Sequence, residues 1–189
     1  TPKYKNVLVT SLLDIGRDKI DNRNFSQHYI DGFSKITNID CPMVIFTTQN
    51  LASTVYKLRG TRPTLVRVLE DSYLLNYRHY EKVKNITSTE TWINQSEWIK
   101  NSILTSPEYI TLTHSKIDFL NIASTQNLFL GNYYFWLDAG IVSSFKLQNK
   151  FTTLVEKVIP NKEYHSFSFP YTPPYNEVHG YSREGYIEV

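Results

Sequence analysis

One carboxylate follows a run of five large apolar or aromatic residues. The segment 133–137 reads YYFWL and leads directly into Asp138, Ala139 and Gly140. This pattern predicts a fully buried strand that presents an acid at its carboxyl end, where open α/β sheets bind their ligands. Gly140 would let a ligand approach the backbone closely. Because Asp and Gly are also favoured in ordinary turns, a purely structural role for Asp138 stays open.

Two other segments carry side chains that suit a polar ligand. Asp14 and Arg17 follow a first apolar run, and Thr47 closes a second one. If these runs are parallel strands, their carboxyl ends meet at one edge of the sheet. A guanidinium suits bidentate contact with phosphate, and hydroxyls suit the edges of a sugar or base. A surface ion pair of Arg17 with Asp14 or Asp18 is the alternative.

Isolated cationic residues could complete such a site. Lys116 precedes the Asp138 strand in a predicted helix, where its ammonium could reach a diphosphate or could simply be solvated. His179 could complete a metal site with Asp138, although a loop histidine without a role is the commoner case. We expect His28 on a helix surface.

Several catalytic motifs are missing from the sequence. It contains no glycine-rich phosphate loop after the first strand, no His-Glu-x-x-His pair and no Gly-x-Ser-x-Gly elbow, and Cys41 has no evident base. Group transfer from a nucleotide-activated donor is the enzyme class that remains. In such enzymes a divalent ion held by aspartate stabilises the leaving diphosphate.

Composition limits the partners. The chain of 189 residues has 20 Lys and Arg against 18 Asp and Glu, without the concentrated basic surface of a nucleic-acid binder. No apolar run reaches the length of about 18 residues that spans a bilayer. We therefore expect a soluble protein that binds no nucleic acid, and we favour the cytoplasm.

The order of apolar segments predicts an α/β fold. Strands at 6–13, 43–48 and 64–69 alternate with helices, the signature of parallel βαβ units. We expect helices over most of 71–129. The last of these helices should begin at Ser106 and Pro107, with Ile117 on its inner face. After the Asp138 strand we expect a strand at 141–145, a helix at 147–158 and a strand at 164–169. These elements predict a mostly parallel central sheet flanked by helices. We expect residues 1–189 to form a single domain. We expect this domain to be incomplete at its C-terminal part, which would bind the acceptor.

Three segments resemble the HtrL/YibB-like family of bacterial and viral proteins. They are LDIGR at 13–17, HSKIDFL at 114–120 and YFWLDAG at 134–140. That family is grouped with the nucleotide-diphospho-sugar transferases of the GT-A fold. The resemblance therefore implies a Rossmann-like domain and a glycosyltransferase that moves a sugar from a donor such as a UDP-sugar to a glycan or polysaccharide.

The same resemblance implies roles for individual residues. Thr10, Asp14 and Arg17 fall where the first-strand loop approaches the nucleotide, and Lys116 falls near the donor. Asp138 takes the place of the first aspartate of an Asp-x-Asp motif that contacts ribose and binds Mn²⁺ or Mg²⁺.

Gly140 stands where the second aspartate of that motif would be. Either Asp138 binds the metal with help from a residue such as His179, or the metal is weakly held or absent. The missing aspartate also leaves a second hypothesis, a catalytically inactive module that binds a glycan or a partner protein. The catalytic base cannot be assigned from these segments.

Overall fold

The described residues form a parallel sheet with helices on both faces. The computed structural model describes residues 4–21, 23–100 and 102–140. They belong to the compact unit Thr1–Val155, while a second unit, Glu156–Val189, lies outside the described residues. The strands are β1 (Tyr4–Leu12), β2 (Met43–Thr48), β3 (Thr64–Leu69) and β4 (Gly131–Trp136). They lie in the order β3-β2-β1-β4 and every pairing is parallel, which confirms the predicted α/β, Rossmann-like arrangement.

The inner strands owe their position to side chains that are apolar on both faces. In β1, Val7 and Val9 pack in one cluster, whereas Leu8 and Leu12 pack in another. Neighbouring residues of a strand point to opposite faces, so a strand covered on both sides needs a nearly continuous apolar run. The run in β1 meets this requirement and places the strand in the middle of the sheet.

One face of the sheet is covered by the helices that follow β1 and β2. A π-helical turn, Phe25–Ile30, continues into α2 (Asp31–Ile36), and α3 spans Gln49–Arg59. The Asn24 side chain accepts hydrogen bonds from the Ser26 and Gln27 backbone N–H groups and so caps the start of this turn. A short helix, α1 (Asp18–Asp21), precedes this turn.

The opposite face is covered by the long helix α7, Pro107–Gln126. Ser106 caps it and Pro107 opens it, as predicted. Ile117 was expected to point inward, but it is 61% exposed. The buried residues of α7 repeat every four positions. Ile117 lies two positions from the nearest of them, and because two positions correspond to a rotation of about 200° around the helix, it points away from the sheet. These buried residues are Thr111, Ser115, Phe119 and Ala123.

Short helices connect β3 to α7. They are α4 (Tyr80–Thr87), α5 (Glu90–Ile93), α6 (Glu97–Lys100) and a 3-10 turn at Ile103–Thr105. The α4 helix is joined to α7 by the Tyr80 hydroxyl, which donates to Glu108 Oε1 at 2.6 Å. Among the described helices, α1 to α7, none is long and apolar enough to cross a membrane.

The β4 strand departs from the prediction of a fully buried strand. Its residues 133–136 are half-buried, and Leu137 directly after it is buried. Within the described residues β4 pairs only with β1 and stands at the end of the strand order. Aromatic residues therefore indicated a strand correctly but overstated its burial.

Arg59, at the end of α3, forms hydrogen bonds to the segments that follow α2 and precede β3. The Arg59 side chain is fully buried, and its guanidinium donates to the backbone carbonyls of Thr37, Ile39, Cys41 and Pro63 at 2.7 to 3.1 Å. Burial, followed by the nearby Arg62 charge, lowers the pKa of Arg59 to about 10. Five hydrogen bonds, including one to Thr64 Oγ1, thus link α2, α3 and β3.

Several predictions concern residues outside the described part of the chain. These are the strands at 141–145 and 164–169, the helix at 147–158, the position of His179 and the extent of the domain.

Candidate functional site

A cavity of about 470 Å³ opens at the carboxyl ends of β1 and β4. Cavities of this size hold small molecules in many proteins. Five of the predicted donor-binding residues line it: Asp14, Arg17, Lys116, Asp138 and Gly140. The other lining residues are Ser11, Leu12, Leu13, Ile15, Arg23, Phe25, His28, Tyr29, Tyr109, Leu112, Thr113 and Ala139.

Asp138 is held by two hydrogen-bond donors. Its Oδ1 atom lies 2.7 Å from Lys116 Nζ and accepts a hydrogen bond of 2.8 Å from Trp136 Nε1. The Lys116 side chain is 28% exposed and that of Asp138 is 51% exposed, so the pair lies at the surface of the cavity. Lys116 is therefore not a freely solvated lysine on the outside of α7.

An aromatic stack fixes Trp136 from the core. Its ring stacks on Phe119 with 6.1 Å between centroids, and Phe119 stacks on Phe46 at 4.3 Å. Phe46 and Phe119 are buried. Since rigid aromatic contacts restrict ring orientation, the core sets the direction from which Trp136 donates to Asp138. Lys116 Nζ also lies 6.0 Å from the Trp136 ring centroid, within reach of a cation–π interaction.

The loop after β1 carries Arg17 to the cavity. Asp14 Oδ1 accepts a hydrogen bond of 2.9 Å from the Gly16 N–H, and Gly16 has a φ of +71°. The Arg17 guanidinium donates to the Tyr29 hydroxyl and lies 5.6 Å from the Tyr29 ring centroid and 5.3 Å from that of Tyr109. Two aromatic rings thus orient this cation.

Two other predicted donor-binding residues, Thr47 and Thr10, are buried and do not line the cavity. Thr47 is fully buried, and its hydroxyl donates to the Leu12 carbonyl at 2.8 Å. Thr10 is 1% exposed, and its hydroxyl has no hydrogen-bond partner among the described residues. Thr47 was predicted from its position near a strand end, and Thr10 from the position that the family resemblance gives it. Such a position cannot tell which face of the sheet a side chain points to, or whether it reaches the edge.

The cavity also uses residues that sequence reasoning missed. Tyr109, Leu112, Thr113 and Lys116 line it from α7, at the spacing of a single helix face. That spacing was present in the sequence, but only Lys116 was considered. His28 was expected on a helix surface and instead lines the cavity half-buried.

Comparison with known proteins places the chain in a family. Residues 5–169 match the family model described as "Bacterial protein of unknown function (HtrL_YibB)". The chain belongs to the HtrL/YibB family. Protein HtrL of Escherichia coli (strain K12) is 28% identical to it over 148 residues, which are 73% of this chain and 52% of that protein. The chain thus spans about half the length of this curated relative. No solved structure matches it.

Charge in the cavity of this HtrL/YibB chain favours an anion. Among residues 4–21, 23–100 and 102–140, Arg17, Arg23 and Lys116 line it together with two carboxylates, Asp14 and Asp138. The side chains of Arg17 and Lys116 are partly buried, where a charge is less screened by solvent. A phosphate or carboxylate group of a ligand would balance the excess positive charge.

The described residues of this HtrL/YibB chain do not fit a divalent metal. Nowhere in residues 4–21, 23–100 and 102–140 do three His, Cys, Asp or Glu residues come together. Asp138 instead contacts an ammonium and an indole N–H. The metal site of Asp138 and His179, with Mn²⁺ or Mg²⁺, remains a prediction because His179 lies outside the described part of the chain.

Proposed function

We propose that the chain is the donor-binding part of a glycosyltransferase of the GT-A type. It would move a sugar from a nucleotide-diphosphate sugar, such as a UDP-sugar, to a glycan or polysaccharide. The observation that supports this proposal is the convergence of Arg17 and Lys116 beside Asp138, in a cavity at the carboxyl edge of a parallel sheet. Open α/β sheets bind nucleotides at this edge.

The chemistry of sugar transfer matches the charges in the cavity. The bond between the sugar C1 and the diphosphate oxygen breaks, a bond from an acceptor hydroxyl to C1 forms, and the hydroxyl proton passes to a base. Negative charge therefore grows on the leaving diphosphate. Lys116 and Arg17 would stabilise that charge, because cationic donors positioned in advance need little rearrangement during the reaction.

Binding of nucleotide sugars to the intact protein tests the proposal. Calorimetric titrations would use UDP-, GDP- and dTDP-sugars, each with and without Mn²⁺. We expect one nucleotide to bind, and Lys116→Met to weaken its binding about 10- to 100-fold because a charge-assisted hydrogen bond is lost.

Lys82→Met is the matched control, since Lys82 is an exposed lysine of α4 that does not line the cavity. It removes the same charge at a distance and should change affinity about twofold or less. Failure of every nucleotide sugar to bind, or equal losses in the two variants, would reject the proposal.

A binding module without catalysis is the second candidate function. Gly140 favours it, because a carboxylate is missing where the GT-A motif has its second aspartate. Such a module would use the aromatic surface of a chain that contains 14 tyrosines to bind a glycan or a partner protein. Sugar transfer or donor hydrolysis by the full-length protein, lost in Lys116→Met but kept in Lys82→Met, would exclude this candidate.

A further inference from the structure

We propose that this site binds the diphosphate of its ligand directly through Arg17, Arg23 and Lys116, without a bridging divalent metal. Asp138 then positions Lys116 and is not a metal ligand. The inference rests on the proposed function for its ligand, a nucleoside diphosphate sugar. It departs from the metal-bridged arrangement that the Asp-x-Asp motif implies.

Asp138 already contacts two hydrogen-bond donors of the protein. Its Oδ1 atom already accepts from Lys116 Nζ at 2.7 Å and from Trp136 Nε1 at 2.8 Å. A divalent ion on this carboxylate would lie next to the Lys116 ammonium, and like charges at such short range repel strongly. The carboxylate that should bind a metal is thus already neutralised by a cation of the protein.

The described residues of the cavity offer few oxygen ligands for a divalent metal. Mg²⁺ and Mn²⁺ prefer carboxylate and other oxygen ligands. Gly140 offers no side-chain oxygen, and Asp14 Oδ1 is engaged by the Gly16 N–H at 2.9 Å. The described part of the cavity therefore lacks the second carboxylate of the Asp-x-Asp pair, and its two carboxylates, Asp14 and Asp138, already accept hydrogen bonds through Oδ1.

The cationic side chains of Arg17 and Lys116 are already oriented in the cavity where a diphosphate could bind. The Arg17 guanidinium is oriented by the Tyr29 hydroxyl and two tyrosine rings, and Lys116 is oriented by Asp138. Guanidinium groups bind phosphate oxygens in pairs, and lysine binds them as a point charge. Orienting these side chains before binding reduces the entropy that the ligand must overcome.

Inorganic pyrophosphate is the probe, because it carries the diphosphate without the base or the sugar. Its affinity for the intact protein would be measured by calorimetry in EDTA and again in excess Mg²⁺. We expect binding in EDTA, and equal or weaker binding in Mg²⁺, since the metal neutralises charge that the protein cations would otherwise meet.

Substitutions separate the two possible roles of Asp138. Asp138→Asn keeps the oxygen that accepts from Trp136 but removes the charge that pairs with Lys116. In a metal-free site this variant binds pyrophosphate as well as the parent protein, or up to about tenfold more tightly. In a metal site the same variant loses binding. Lys116→Met should weaken binding about 10- to 100-fold, Lys116→Arg should restore most of it, and Lys82→Met serves as the control for net charge.

The outcomes distinguish this inference from the proposed function. Pyrophosphate binding in EDTA that depends on Lys116 supports the inference, whichever nucleotide sugar binds. Binding that requires Mg²⁺, loss of binding in Asp138→Asn, or no binding of pyrophosphate in either condition overturns it. The proposed function is tested separately by the nucleotide sugars, which can bind with a metal even if the metal-free inference is wrong.

Discussion

Gly16, in the loop after β1, and Gly140, which lines the cavity, differ in what the backbone requires of them. Gly16 has a φ of +71°, a conformation that costs an L-amino acid about 1–2 kcal/mol. Gly140 is outside that left-handed region, and a Cβ added there would lie 3.5 Å from the nearest atom of the Tyr29 ring, an ordinary contact. The turn before Arg17 therefore needs glycine, whereas the loop after Asp138 does not.

Alanine substitutions at these glycines should have opposite effects. We expect Gly16→Ala to lower the free energy of unfolding by about 1 kcal/mol, because of the strained φ. Gly140→Ala should leave it unchanged or raise it by up to about 1 kcal/mol, because the unfolded chain loses freedom. Urea denaturation of both variants tests this pair. A destabilised Gly140→Ala protein would show that the backbone there needs glycine after all.

The unpaired hydroxyl of Thr10 leads to a second prediction for a single residue. A buried hydroxyl without a partner costs about 1–3 kcal/mol compared with a paired one. Thr10→Val has a similar shape and removes that hydroxyl, so we expect the free energy of unfolding to rise by about 1 kcal/mol. Thr47→Val is the matched comparison, since it removes the hydrogen bond to Leu12 and should destabilise the protein. Equal losses in the two variants would contradict the different environments of these threonines.

Connections between elements depend on polar side chains in the interior. Arg59 satisfies carbonyl oxygens at the end of α2, in the loop before β2 and at the start of β3. Those carbonyls would otherwise be left unsatisfied as the chain leaves regular structure. A single buried guanidinium thereby joins the end of α2 to the chain segments just before β2 and β3.

Removing this guanidinium should be severe. We expect Arg59→Met to lower the free energy of unfolding by about 3 kcal/mol or more, because several buried carbonyls lose their donors together. Lys57→Met is the matched control: it lies on an exposed surface of the same helix and should change stability by about 0.5 kcal/mol or less. Thermal unfolding followed by circular dichroism provides the comparison. A mild effect in Arg59→Met would mean that water replaces the guanidinium.

The contact between α4 and α7 gives stability a dependence on pH. Burial alone would raise the pKa of Glu108, but hydrogen bonds from Tyr80, its own backbone and Ser106, with the Lys84 charge, lower it below its ordinary value of 4.5. Burial, followed by the hydrogen bond to Glu108, raises the pKa of Tyr80 to about 12. The Glu108 contribution is present above pH 4.5 and is lost as pH falls through the lowered pKa. The Tyr80 contribution is present below pH 10 and is lost as pH rises through about 12.

Glu108→Gln tests this linkage. At pH 7 we expect the variant to be about 1 kcal/mol less stable than the parent protein, because a charge-assisted hydrogen bond becomes a neutral one. The difference should shrink as pH falls from 4.5 through the lowered pKa of folded Glu108, because the carboxylate gains a proton first in the unfolded and then in the folded state. Urea denaturation across this pH range measures it. A difference that stays constant down to pH 2 would show that the carboxylate charge is not involved.

At the level of the whole molecule, the sheet was more predictable than the site. Continuous apolar runs identified β1 and β2 with ends within one or two residues, because strands buried on both faces require such runs. The mostly half-buried strand β3 was identified from the alternating pattern at 64–69. The cap at Ser106 likewise identified the start of α7 from local chemistry alone. Burial was harder to predict, as β4 and Ile117 show, because it depends on which neighbour covers a side chain.

The cavity depends on contacts between distant parts of the chain. Tyr29 and Tyr109 both contact Arg17, although one comes from the π-helical turn and the other from α7. No local pattern pairs two tyrosines so far apart, and therefore sequence reasoning found Arg17 but not its partners. Lys116 and Asp138 were found because the aromatic strand and the preceding helix suggested their common position.

The pairing of β1 with β4 also determines when the fold can be completed. Tyr4 lies opposite Gly131, so β1, the first described strand, is bonded along both edges only after β4, the last described strand, has joined it. Contacts between residues so far apart in sequence form slowly, because a long loop must close first. During synthesis on the ribosome, the backbone N–H and C=O groups along one edge of β1 stay unpaired until β4 emerges. An unpaired edge of an apolar strand can form hydrogen bonds with other chains and so promotes aggregation. We therefore expect β1, whose carboxyl end lies at the cavity, to need protection along this edge until β4 has emerged.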